Sequence, residues 1–225
     1  MEEKQNLTAE RSLEIITEQI ARNRKAVSQV VGEHLVVAGI ATMAMAVVVA
    51  LINWACGSQV GHLLWFVLPL IIWLLSRRIR NNYDLQPNDL IGSLVSKTWN
   101  TFAVFTLGFF ALALICNIFT SMVDVDPSSR MYIRVGAVVM LLMGVAVTIT
   151  GHILKSKALV WFGIISGLLM YFWETFGFTS MILLRLGVQP EALSTTTDVV
   201  GCLPILIIAF IGLLLPGLAL KKQEQ

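Results

Sequence analysis

The stretch Ala158–Phe178, ALVWFGIISGLLMYFWETFGF, decides how the rest of the chain is read. It is apolar, rich in glycine, and carries one carboxylate, Glu174. At helical spacing Gly163, Gly167, Met170, Glu174 and Gly177 fall on one face. Small residues let a second helix approach closely, so this face is expected to meet protein rather than lipid, with the acid among the contacts. An ionisable group in a span is by default a functional-site hypothesis. The aromatic neighbours Tyr171, Trp173 and Phe176 support a plainer reading, an acid in the outer interfacial belt wetted by headgroups, and that reading is preferred here.

The composition around this stretch agrees with a membrane helix. The chain has 225 residues, 56% hydrophobic and 13% charged, where a soluble domain carries about 25% charged residues. Its charges cluster in short segments between apolar runs long enough to cross a hydrocarbon core of about 30 Å. The runs are continuous and not alternating, which disfavours a transmembrane β-barrel. The fold class expected is all-α, a polytopic transmembrane bundle of six spans with an N-terminal amphipathic cytoplasmic helix. The expected division is residues 1–34 for that helix, 35–220 for the transmembrane domain and 221–225 for a cytoplasmic tail.

Residues Thr8 to His34 carry Leu13, Ile16, Ile20, Val27 and Val30 at three- and four-residue spacing, interrupted by Asn23. Thr8 is the expected N-cap. The acids Glu10, Glu14 and Glu18 precede Arg22, Arg24 and Lys25, an order that suits the helix dipole. The segment reads either as a helix lying on the bilayer or as a docking or dimerising helix with a short heptad-like seam. With no signal peptide in view, span one is expected to act as its own insertion signal.

Spans are expected near Leu35–Ala55, His62–Ser76, Trp99–Met122, Met131–Leu154, Ala158–Phe178 and Val199–Leu220. Pro69 predicts a kink in span two. Pro87 and Asn88 predict a helix start ahead of span three, and Asp126-Pro127 predicts a turn. The small residues Gly144 and Gly151 of span four, like Gly163 and Gly167 of span five, are expected at helix-packing contacts. Lysine and arginine cluster before span one, after spans two, four and six, and before span three, which predicts that both termini are cytoplasmic. Asn53, Asn117 and Glu174 then fall in the outer half. They are a candidate polar pocket, or else unrelated interhelical hydrogen bonds, the reading favoured here.

Chemical motifs are missing. The sequence has no nucleophile elbow, phosphate-binding glycine loop, HExxH or Cys-x-x-Cys pair. His34, His62 and His152 lie at span ends on both sides of the membrane, so no metal site, cofactor or catalytic residue is expected. A net charge of +2 gives no reason to expect nucleic acid. Cys56, Cys116 and Cys202 read as small apolar residues, although Cys56 and Cys202 fall near one face and leave a disulfide open.

The segments NLTAERSLEIITEQI, HLLWFVLPLIIWLL, AVTITGHILK and LLLPGLALKK together resemble an uncharacterised group of bacterial six-span inner-membrane proteins. The resemblance covers most of the chain on unspecific motifs. Members of the group are often encoded beside a small winged-helix regulator, which implies a signalling or accessory role in the bacterial inner membrane and supplies no catalytic residues.

The function expected is a non-enzymatic integral membrane protein, sensory, regulatory or accessory. It would act through residues 8–34 on a cytosolic protein partner or by self-association, with the lipid bilayer as its other partner. The alternative is a small-solute transporter built on a 3+3 inverted repeat. It rests on the echo of His62-Leu-Leu-Trp65-Phe66 in Ala158-Leu-Val-Trp161-Phe162, and it predicts a cavity between spans two and five along the Gly163/Gly167 face.

Overall fold

The first helix, α1, runs unbroken from Glu2 to Cys56, 55 residues or about 80 Å at 1.5 Å per residue. No proline interrupts it, and its glycines Gly32 and Gly39 are both buried. The cytoplasmic helix and span one expected from the sequence are therefore one rod. Its start lies six residues ahead of Thr8, the expected cap. The structure, a computed structural model, describes residues 2–57, 59–80, 90–122 and 135–222. The expected turn at Asp126-Pro127 and the helix start at Pro87 and Asn88 lie outside the described residues.

A 3-10 segment, Gln59–Phe66, follows α1 and leads into α2, Leu68–Arg80. Pro69 is the second residue of α2, so within the span it stands where the 3-10 segment gives way to α-helix. Its missing N–H is one that a first helical turn leaves without an intrahelical partner anyway. Val67 and Ile71 carry the chain through the transition, donating to Leu64 O at 2.9 Å and Val67 O at 3.1 Å. The helices α3, Leu90–Met122, and α4, Val135–Leu154, come next. A tight turn at Lys155 then leads into α5, Lys157–Phe176.

Gly177 ends α5 in the left-handed region, φ 62°, and its N–H caps the carbonyls of Glu174 and Trp173. The chain restarts at once as α6, Phe178–Arg185, and Trp173 Nε1 donates across the break to Thr179 Oγ1 at 2.9 Å. The stretch Thr179 to Thr197, whose composition reads as a longer connection between spans five and six, is mostly helical, as α6 and α7, Pro190–Val200. The last helix, α8, spans Cys202–Lys222. Within it Phe210–Leu214 is a π turn, where Leu215 N–H reaches back five residues to Phe210 O. The turn stands directly before Pro216, which has no N–H to continue the regular ladder.

Among the described residues six helices are long and apolar enough to cross a membrane: Glu10–Cys56, Val60–Arg78, Leu90–Cys116, Gly136–Leu154, Lys157–Phe176 and Cys202–Lys222. The core joins Val27, Val31 and Leu35 of α1 to Val95 of α3, Leu154 and Leu159 beside the α4–α5 turn, and Leu220 of α8. A second cluster packs Met45, Ala46 and Val49 against Cys202. In spans two and three only 6% of the apolar window is buried, against 44% in spans four and six, so α2 and α3 form the rim. Threonines in the spans donate to carbonyls four residues back, Thr42 to Ala38, Thr148 to Gly144 and Thr150 to Ala146, each at 2.8 Å. No water in a bilayer core would satisfy those hydroxyls.

Candidate functional site

The glycines singled out in the sequence do meet. A Cβ at Gly144 would lie 2.5 Å from Gly167 Cα and 2.7 Å from Gly163 O, and one at Gly151 would lie 2.7 Å from Val160 N. So α4 and α5 cross backbone to backbone at the Gly163/Gly167 face. A second close crossing, at Gly32 of α1 and Gly217 of α8, was not singled out. There a Cβ at Gly217 would stand 2.8 Å from Gly32 O. Near it Lys221 Nζ lies 3.4 Å from a Glu33 carboxylate oxygen.

The three polar candidates stand on three elements, Asn53 on α1, Asn117 on α3 and Glu174 on α5. Asn53 is buried, and its Oδ1 accepts the Gly61 N–H at 2.9 Å. That bond fixes the amide orientation, so Nδ2 is the donor toward His62 Nε2 at 3.2 Å. His62 must then accept at Nε2 and carry its proton on Nδ1. Asn53 thus ties the 3-10 segment back onto α1. Glu174 is half-buried in the last turn of α5, two residues before the helix ends. The acid therefore stands at a helix end, just before the Gly177 break that separates α5 from α6. Asn117 belongs to α3, but its side chain lies outside the described residues.

Cys202 is buried against α1 while Cys56 is exposed, and none of the three cysteines is in a disulfide, which removes the one left open in the sequence. Among the described residues no three His, Cys, Asp or Glu side chains group as metal ligands.

The remaining candidate surface is the N-terminal part of α1. Residues 13, 16, 20, 27 and 31 fall on one face at helical spacing. Val27 and Val31 are 3% and 7% exposed within the bundle, whereas Leu13, Ile16 and Ile20 are 65%, 51% and 47% exposed. Every described residue from Glu10 to Arg22 is exposed, so among the described residues nothing covers the apolar stripe there. The charges Arg11, Glu14, Glu18, Arg22 and Lys25 occupy the opposite side by spacing, and Arg22 pairs with Glu18 at 2.6 Å.

Six apolar helices packed in this way define an integral, multi-pass helical membrane protein. No family model matches the chain, and neither a curated protein nor a solved structure matches it.

Proposed function

We propose that this chain is a non-enzymatic sensory, regulatory or accessory protein of a bacterial inner membrane, with both termini in the cytoplasm. Its output is the N-terminal part of α1. The observation that carries the reading is the unbroken helix, whose apolar stripe is buried at Val27 and Val31 and uncovered at Leu13, Ile16 and Ile20. A tilt or shift of span one moves that stripe with it, because no break between them absorbs the motion. The close crossing of Gly32 on Gly217 gives α8 a direct hold on the same rod. The family resemblance points the same way, toward a signalling or accessory role.

The test is co-purification of cytosolic proteins with the full chain and with a form lacking residues 1–30. A partner that is lost on deletion, while the protein still inserts and stays monodisperse, supports the proposal. An undiminished partner set contradicts it.

A further inference from the structure

The exposed stripe faces the same side of α1 as the residues buried in the bundle, and this restricts what covers it. Ile20 precedes Val27 by seven residues and Leu13 by seven more, so the stripe stands roughly 10–20 Å beyond the end of the packed core along the helix. There it overhangs the underside of its own bundle. Among the described residues that underside is mainly basic. Leu154 lies in the same core cluster as Val27 and Val31, and the turn directly after it carries exposed Lys155 and Lys157. The end of α8 adds exposed Lys221 and Lys222, with Lys221 held next to α1 by Glu33. An apolar wall and a basic ceiling thus meet in one corner.

Two occupants fit this corner poorly. Two copies side by side in one membrane, with their stripes facing across a two-fold axis, would bring their bundles into the same space, because each bundle sits on the stripe side of its own helix. The bilayer surface fits poorly too, since an unbroken helix continuous with its span carries Leu13, Ile16 and Ile20 onward past the packed end of the bundle. We infer that the corner receives an amphipathic helix of a soluble protein. Its apolar face lies on Leu13, Ile16 and Ile20, and its acidic side chains face Lys155, Lys157 and the end of α8. This rests on the proposed output role of α1 and adds the chemistry of the partner. The flanks Ser12, Thr17, Gln19 and Asn23 are uncharged, and Arg24, in line with the stripe between Ile20 and Val27, adds to the positive charge of the lysines overhead.

The probe is a synthetic 21-residue helical peptide with leucine along one face and glutamate elsewhere, labelled with fluorescein. It is titrated against the full-length protein in nanodiscs by anisotropy, beside a matched peptide with lysine in place of glutamate. The expected result is binding of the glutamate peptide at least tenfold tighter than the lysine peptide, weakened by salt. Both L13S/I16S/I20S and K155E/K157E should weaken it at least tenfold. The first variant alters only exposed side chains, and thermal stability checks that both remain folded. Equal binding of the two peptides, or retention of binding by either variant, overturns the inference. So does a disulfide between copies through Ile16→Cys in membranes, which assigns the stripe to a second copy. A blue shift of a dye at that cysteine on anionic nanodiscs overturns it as well, in favour of the bilayer. If the peptides fail while the 1–30 deletion still strips a cytosolic partner, the output role stands and the partner's chemistry is wrong.

Discussion

Replacing Gly144 with alanine adds one methyl group at the closest point between α4 and α5. Its carbon would stand 2.5 Å from Gly167 Cα and 2.7 Å from Gly163 O, where carbon pairs settle at about 3.5–4.0 Å. Both obstacles are backbone, so no side chain can swing away and the helices must part by about 1 Å. A gap of that size forfeits about a quarter to a half of each dispersion contact along the seam. Overpacking of this kind costs about 1–3 kcal/mol. Taking ~2 kcal/mol and ~2–4 °C per kcal/mol for a chain of this size, the melting temperature in detergent should fall by about 4–8 °C. Gly136→Ala is the control, because a Cβ there meets nothing within 4 Å and alanine is the better helix former, so it should lose no stability. The reasoning is refuted if Gly144→Ala melts like the wild type or like the Gly136→Ala control.

Other substitutions test other parts of the account. Asn53→Leu leaves the Gly61 N–H without its acceptor and should cost about 1–3 kcal/mol, read as a lower melting temperature, while Asn53→Asp, which keeps an acceptor, should lose less. Glu174→Gln keeps shape and hydrogen-bonding capacity and removes a charge that the end of α5 disfavours, worth about 0.3–1 kcal/mol, so it should melt close to the wild type. Glu174→Leu should melt lower if the half-buried acid is a structural polar contact, and equal melting of the two variants would remove it as one. Reporter fusions after Lys97, Lys157 and Gln225 should report cytoplasm and those near Gly57, Ser128 and Ser194 the outside; an external C-terminus would contradict the proposed orientation.

Much of the fold was legible because it follows from apolar length and small-residue spacing. The runs around Leu35, Trp99 and Ala158 are long enough to span a membrane, and Gly144, Gly151, Gly163 and Gly167 recur at intervals that place them on single faces. Features that depend on how ends meet were not legible. Pro69 reads as a kink until the preceding turn is known to be 3-10, and then it is an ordinary early-helix proline. The Gly32–Gly217 crossing joins residues from the two ends of the chain, and no local spacing relates them. Helix α7 was hidden by its composition, since Ser194, Thr195, Thr196 and Thr197 read as a polar link. Spacing puts the Asn53 side chain on an inward face, but it does not reveal that the amide ties the following 3-10 segment back onto α1 through Gly61 and His62.

The central claim is that the uncovered stripe of α1 is a protein-binding surface. It is tested most directly by a photo-crosslinking residue placed in living cells at position 16, on the stripe, and at position 18, on the charged side of the same turn. The account predicts an adduct with a soluble protein from position 16, and none or far less from position 18. Adducts only with lipid or with a second copy from position 16, or equal protein adducts from both positions, would contradict it.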